Sequence, residues 1–371
     1  NYNTVVGDEA GTAITTGDNN VAVGYAALDA NTTGSGSVAL GRNALGAQTT
    51  GTGNVGIGNT AIGSAAVTGD YNVGIGHFAI AALTSGTNNA AVGTQALYVN
   101  TTGSSNVAMG RDALTANTTA SNNTAVGYAS LGANTTGTSL TAVGANALDA
   151  NTTGHNNTAL GFNSLTANTT GTYNISIGAN SMVTNTTGSN NVAMGQDALR
   201  LSTASNNTAI GFLALTANTT GTQNTAIGAY AGDAITTAGG NVGVGYQAMS
   251  ALTTGGGNTA VGHQSMANGV VTGLYNTALG DGSLLVLTSG AENAAVGRSA
   301  LAANTTGGNN TAVGFEAMDA NTTGGSNVAV GSAALGANTT ASNNTAVGNG
   351  ALAANTTGRD NTALGFSAGA T

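Results

Sequence analysis

Histidines and aspartates are the side chains of this sequence whose types could do acid–base or metal chemistry. The histidines are His77, His155 and His263, and the absence of cysteine excludes thiol nucleophiles and thiolate metal sites. Four aspartates share one position of a repeat described below: Asp29, Asp149, Asp233 and Asp319. These groups can act as a catalytic pair or as metal ligands only if the fold brings them within contact distance of one another.

One glycine motif has the spacing of a phosphate-binding loop. Residues 51–56 read Gly-Thr-Gly-Asn-Val-Gly, which matches the fingerprint that binds dinucleotide phosphates. That fingerprint requires a helix directly after it, and no helix is predicted here. The glycines of the motif are explained by the repeat, so we predict no cofactor.

The composition excludes several classes of function. The 371 residues include 60 glycines and no proline or tryptophan, charged residues make up 5%, and the net charge is −9. An acidic chain without a basic cluster cannot neutralise a phosphate backbone, which argues against nucleic-acid binding. No apolar run reaches the roughly 18 residues of a membrane-spanning helix.

A repeat of 17 residues fills the chain. We take as its reference the glycine that ends the motif Asn-Thr-Ala-Val-Gly, as at residues 123–127; this glycine recurs 22 times between Gly7 and Gly365. Three intervals deviate by one residue, those that end at Gly76, Gly211 and Gly280. We predict one continuous array over residues 1–371, with no internal domain boundary and no cap at either end.

Each repeat predicts one coil of a parallel β-solenoid. The residue before the reference glycine is aliphatic in every copy, the residue two before it is small in all copies except Val5, and neither position carries charge. This alternation is typical of a strand with two uncharged faces, and we expect both faces to be buried. Seventeen residues are too few for a helical repeat. We therefore predict an all-β parallel solenoid, or β-roll, of about 22 coils.

Charged and aromatic side chains indicate the outside of the coil. All 19 charged residues fall one, two or five residues after the reference glycine, or five or six before it. The aromatic residues occupy the same positions, most often directly after the glycine: Tyr25, Tyr128, Phe162, Phe212 and Phe366. We predict that these positions face the solvent.

Asparagines indicate ladders inside the stack. Asparagine stands four residues before the reference glycine in 20 copies, with Ser37 and Leu140 as the exceptions, and stacked amides can bond one another. A second asparagine position, seven after the glycine, indicates an inward corner, as at Asn134. Its Asn-Thr-Thr triplets also match the glycosylation sequon, and we favour turn chemistry over glycosylation for them.

On this fold the candidate catalytic groups are far apart. His77 and His263 lie eleven coils apart, about 53 Å at the usual strand spacing, and His155 occupies another position of the repeat. The four aspartates are dispersed along one outer line, and the calcium-binding glycine-aspartate nonapeptide is missing. We therefore predict that the chain is not an enzyme and has no catalytic, cofactor-binding or metal-binding residues.

The segment Asn-Thr-Ala-Val-Gly-x-x-Ala-Leu resembles the head repeats of trimeric autotransporter adhesins and the repeats of bacteriophage tail-fibre-like proteins. It stands at residues 123–131 with Ser130 in the alanine place, and at residues 310–318 with Met318 in the leucine place. The resemblance extends over the whole chain, although the adhesin repeat is shorter and the Asn-Thr-Thr-Gly corner is closer to the tail-fibre-like proteins. It implies a left-handed parallel β-roll that forms a side-by-side homotrimer.

These observations predict a structural or adhesive fibre or stalk segment, extracellular, on a cell surface or a phage virion. Its predicted partner is the chain itself, as a homotrimer that also associates end to end, because one uncharged strand face needs a covering surface. One alternative is a glycan-binding module that uses the outer line of aromatic and arginine residues. A less favoured alternative is an ice-binding solenoid, whose threonine rows are interrupted at Val67, Ser85, Ala120 and Ala204. No nucleic acid and no membrane insertion of this segment are expected.

Overall fold

A computed structural model describes residues 2–370, which form 22 short strands and no helix. The described residues group into two compact units, one that ends at Ser189 and one that begins at Asn190. Each unit is an all-β parallel solenoid with a repeat of about 17 residues, which confirms the predicted fold class. The continuity of the two units as one array stays a prediction.

The first unit contains eleven strands of three residues each. They are β1 Thr4–Val6, β2 Val21–Val23, β3 Val38–Leu40, β4 Val55–Ile57, β5 Val73–Ile75, β6 Ala90–Val92, β7 Val107–Met109, β8 Thr124–Val126, β9 Thr141–Val143, β10 Thr158–Leu160 and β11 Ile175–Ile177. Every strand ends on the aliphatic residue before a reference glycine, as the repeat predicts.

The second unit also contains eleven strands of three residues. They are β12 Val192–Met194, β13 Thr208–Ile210, β14 Thr225–Ile227, β15 Val242–Val244, β16 Thr259–Val261, β17 Thr277–Leu279, β18 Ala294–Val296, β19 Thr311–Val313, β20 Val328–Val330, β21 Thr345–Val347 and β22 Thr362–Leu364.

Within each unit every strand pairs in parallel with the next strand along the chain. In the first unit Thr124 lies opposite Thr141, one repeat later, and in the second Thr311 lies opposite Val328. Hydrogen bonds between coils continue outside the strands: the backbone N–H of Leu131 donates to the carbonyl of Ala147 at 3.0 Å. Because the coils are bonded at the strand and at the corners, each coil is fixed against its neighbours.

The interior of each coil is lined by small and amide side chains together with one larger aliphatic residue. Ala125, Leu131 and Asn123 of one coil have no exposed surface. The aliphatic residues on the other strand face point outward, and Val143 is 39% exposed. We expected both strand faces to be buried. In a single chain the face of Ala and Gly residues is buried, whereas the face of aliphatic residues is exposed.

The reference glycine is required by a close approach between coils. Gly127 has a φ of +135°, and a Cβ atom built on it would lie 2.5 Å from the carbonyl oxygen of Gly144. Neither the backbone conformation nor the space admits a side chain. Glycine therefore recurs once in each coil because the next coil occupies the volume of its side chain.

Three other positions of the coil adopt left-handed backbone conformations without glycine. In one coil they are Asn122, Ala129 and Leu131, with φ values of +63°, +51° and +53°. A side chain costs about 1–2 kcal/mol in this region. For Leu131 that cost is offset by full burial, which contributes about 1.5–3 kcal/mol for a leucine. These conformations produce the tight corners of a 17-residue coil.

The two 18-residue intervals accommodate their extra residue at a corner. Val67 in the first unit forms an isolated bridge with Gln48, and Val271 in the second forms one with Leu252. Both valines are fully buried. Each extra residue is thus absorbed next to a buried valine, and the strand pairing on either side keeps its alignment.

Candidate functional site

The outward strand face is the most extensive candidate surface in each unit. In the strands between β1 and β22 the first and third residues point outward and the middle residue is buried, as at Thr141, Ala142 and Val143. In β1 and β22 the middle residue is exposed or half-buried. Outward residues of the second unit are similarly exposed, such as Ile227 at 38%. No strand contains a charged residue. Each unit therefore presents an uncharged, largely aliphatic face that is eleven strands long, which we call the strand face.

A row of aromatic rings forms a second candidate surface, in the second unit. The ring centroids of Phe212 and Tyr230 are 5.3 Å apart, and those of Tyr230 and Tyr246 are 6.0 Å apart. Tyr246 then stacks on His263 with an interplanar angle of 12°. These four residues, which we call the aromatic row, come from four successive coils. They combine apolar ring surface with hydroxyl and imidazole groups that can form hydrogen bonds.

Two arginines of the outer line lie over aromatic rings. The guanidinium carbon of Arg111 is 4.7 Å from the ring centroid of Tyr128 in the first unit, and that of Arg298 is 4.8 Å from Phe315 in the second. Exposed cation–π contacts of this kind contribute about 0.5–1 kcal/mol. The predicted outward position of the aromatic and arginine line is confirmed.

The structure brings together one histidine–carboxylate pair that the sequence analysis missed. His263 Nδ1 lies 2.9 Å from a carboxylate oxygen of Asp281, and both side chains are more than half exposed. The two residues follow successive reference glycines directly, so their shared position in the repeat was the available signal. An exposed pair of this kind in water is a weak interaction.

The other two histidines have separate surroundings. His77 packs against the ring of Phe78, with centroids 4.1 Å apart. His155 Nδ1 accepts a hydrogen bond from the backbone N–H of Thr138 at 3.0 Å. That the chain is not an enzyme stays a prediction.

The four aspartates of the outer line are partly buried. Burial raises the pKa of each of these carboxyl groups above its usual range: Asp29, Asp149, Asp233 and Asp319. One carboxylate oxygen of Asp233 is buried without a hydrogen-bond partner in the described part of the chain. Across residues 2–370, no group of three or more histidines and carboxylates is arranged to hold a metal ion.

Residues 51–56 form an ordinary coil segment rather than a phosphate-binding loop. Strand β4 begins at Val55, and no helix follows it in the part of the chain that is described. A Cβ atom on Gly56 would lie 2.9 Å from the side chain of Leu45, which explains this glycine by interior packing.

Both asparagine positions form buried ladders. In the first ladder the Oδ1 of Asn106 accepts the backbone N–H of Asn123 at 3.0 Å, and the Nδ2 of Asn123 donates to the carbonyl of Gly137 at 2.9 Å. In the second, the Nδ2 of Asn134 donates to the Oδ1 of Asn117 at 3.1 Å. Asn134 is fully buried, so the nitrogen that would carry a glycan points into the interior of the folded coil.

In one of the two threonine rows the hydroxyls form hydrogen bonds between coils. Thr135 Oγ1 donates to the carbonyl of Thr152 at 3.1 Å, and Thr305 repeats this bond to Thr322 at 3.0 Å. Each hydroxyl bonds the next coil, so its proton is not directed to bulk water. Only the neighbouring row, such as Thr136, is well exposed.

Neither known protein families nor curated proteins provide a match to this chain: a scan of family models and a search of curated sequences both find none. No helix in residues 2–370 is long and apolar enough to cross a membrane. The strand face and the aromatic row are therefore the surfaces from which a function can be inferred.

Proposed function

We propose that the chain is a structural and adhesive segment of an extracellular fibre, in which parallel copies pack through their strand faces into a side-by-side homotrimer. The observation that carries this proposal is the strand face, an uncharged aliphatic surface repeated on every coil of each unit. The extracellular setting, on a cell surface or a phage virion, belongs to the same proposal and is supported by the resemblance of the repeat.

The size of the strand face supports a stable association. Eleven strands with two outward side chains each give 22 side chains per unit. A standard protein–protein interface uses about 20–30 residues on each side. Extended apolar patches are rare on proteins that remain monomeric in solution, because exposed apolar surface favours association.

The position of the charges supports the same arrangement. Charged residues such as Arg111 and Glu292 lie outside the strands, directly after or five before a reference glycine. Copies that meet through the strand face leave these groups in water, so association does not require a charge to be desolvated. A second copy of the chain is the expected partner, because its strand face is also uncharged and has the same spacing of side chains from coil to coil.

The experiment compares the wild-type chain with Val126→Asp and Val143→Asp, separately and together. Ser139→Asp is the matched control, because residue 139 is exposed and the same position carries Glu292 and Asp360 in other coils. Molar mass from light scattering should correspond to three chains for the wild type and the control. Both strand-face variants should give monomers that keep a β-type circular dichroism spectrum. A wild-type monomer would refute the proposed assembly.

The aromatic row supports a second candidate function, the binding of glycans. Sugars present an apolar ring face together with hydroxyls, and the row offers ring surfaces at intervals of 5.3–6.0 Å beside polar groups. A glycan array should then give signals for wild type that Phe212→Ala and Tyr246→Ala remove. Tyr173→Ala, an exposed tyrosine of the first unit, is the control and should keep them. Unchanged signals in all three variants would exclude the row as the binding surface.

A further inference from the structure

Asn268 and Gly269 form an exposed Asn-Gly step in the 18-residue interval of the second unit. Both residues and the following Val270 are exposed. Within residues 2–370, neither the side-chain amide of Asn268 nor the backbone N–H of Gly269 has a hydrogen-bond partner. Because residue 269 is glycine, no side chain shields its backbone nitrogen. Its φ of +99° also lies outside the conformations of helices and strands.

We propose that Asn268 is a site of spontaneous deamidation. The backbone nitrogen of Gly269 attacks Cγ of Asn268, the new N–Cγ bond closes a five-membered succinimide, and the side-chain nitrogen leaves as ammonia after taking up the proton of the Gly269 N–H. Water then opens one of the two ring carbonyls. Opening at one carbonyl gives aspartate, and opening at the other gives isoaspartate, in which the main chain runs through the former side chain.

The second Asn-Gly step of the sequence provides an internal comparison. Residues 349 and 350 are also Asn and Gly, and Asn349 is exposed. Here, however, the backbone N–H of Gly350 donates to the carbonyl of Ser332 at 2.9 Å, and the carbonyl of Asn349 accepts the N–H of Ser367 at 2.9 Å. The attacking nitrogen of this step is therefore engaged in the bonding between coils, whereas that of Gly269 is not.

Deamidation would change a corner that is fixed by backbone hydrogen bonds to the neighbouring coils on both sides. The backbone N–H of Asn268 donates to Leu285 at 2.7 Å, and that of Val271 donates to Ala251 at 2.9 Å. Isoaspartate adds one atom to the main chain between these two anchors, next to the fully buried Val271. The product also carries one more negative charge. We expect the corner to loosen locally, while the strands β16 and β17 on either side stay paired.

The test is an ageing experiment on the full folded chain at mildly alkaline pH, followed by peptide mass mapping and enzymatic detection of isoaspartate. Asn268 should deamidate about tenfold faster than Asn349, the ratio that corresponds to one hydrogen bond of about 1.4 kcal/mol. In the chain unfolded by denaturant the two sites should react at similar rates, because both are Asn-Gly. Asn268→Gln should remove the fast site only.

Two results would overturn the proposal. One is equal rates at Asn268 and Asn349 in the folded chain. The other is an unfolded chain in which the difference persists, since the sequence around each site and not the fold would then set the rate.

Discussion

The side-chain nitrogen of Gln48 lies 3.1 Å from the hydroxyl oxygen of Ser37, at a coil where the first asparagine ladder has lost its asparagine. The Oε1 of Gln48 also accepts the Nδ2 of Asn54, the next ladder residue, at 2.9 Å. The longer amide at the second ladder position therefore reaches across the interior and accepts the Asn54 side chain, while the Ser37 hydroxyl accepts the backbone N–H of Asn54 at 3.3 Å. Two substitutions eleven residues apart compensate each other within one coil.

This compensation predicts the behaviour of a coil that has a complete ladder. Asn310 Oδ1 accepts the backbone N–H of Asn327 at 3.0 Å, and its Nδ2 donates to Gly324 at 2.8 Å. Asn310→Ser should lower the free energy of unfolding by about 1–3 kcal/mol, because buried polar groups lose their partners. Adding Asn321→Gln, eleven residues later, should recover most of the loss.

Asn309→Ser is the control for this pair, because Asn309 is exposed and serine occupies its position in other coils. Denaturant unfolding of the four proteins measures the effect. A double variant that is no more stable than Asn310→Ser would contradict the compensation.

The sequence predicted the solenoid because each coil repeats one pattern of apolar, small and amide residues. The phase of the reference glycine located every strand, and the charged residues marked positions of the coil that face the solvent. The reason for the glycine was not predictable from one coil, since the carbonyl of Gly144 that excludes a side chain from Gly127 belongs to the next coil.

Contacts between coils also explain what the sequence analysis missed at the candidate surfaces. The alternation at Ala142 and Val143 indicated two uncharged faces but not which one is interior; the structure shows that the smaller residue fills the narrow coil and Val143 points out. The pair of His263 and Asp281 arises because one position of the repeat stacks on itself. Its signal in the sequence is that both residues directly follow successive reference glycines, Gly262 and Gly280.

The left-handed corner positions predict a stabilising change to glycine. Ala333 has a φ of +54°, and the same position carries Gly282 and Gly350 in other coils. Ala333→Gly should raise the free energy of unfolding by up to about 1 kcal/mol, because the strain of a left-handed alanine exceeds the entropy cost of glycine.

The adjacent residue, Ala334, serves as the matched control because it is fully buried and its φ is not positive. Ala334→Gly should lower the free energy of unfolding by about 1 kcal/mol. The prediction fails if thermal unfolding shows that both variants are destabilised equally.

The partly buried aspartates predict an unusual dependence of stability on pH. Burial raises the pKa of Asp149, so folding favours its protonated form. Its contribution to stability is therefore greatest below the pKa of an unfolded aspartate, about 3.9, and is lost as the pH rises through the higher folded pKa. Asp149→Asn should be more stable than the wild type at neutral pH, and the difference should shrink in acid.

Glu292→Gln removes an exposed carboxylate and is the control. Its stability relative to the wild type should change less between acid and neutral pH than that of Asp149→Asn. Chemical unfolding of the three proteins across this pH range measures the difference. Equal pH profiles for Asp149→Asn and the wild type would show that burial of this carboxylate has no energetic effect.

A cryo-electron microscopy map of the native assembly, viewed in cross-section, tests the central claim most directly. The proposed function predicts three parallel chains around a common axis, with the strand face, including Val143 and Val261, directed inward and Arg111 and Glu292 directed to solvent. A single isolated solenoid would contradict this account, as would copies that meet through their charged positions while the strand face remains in water.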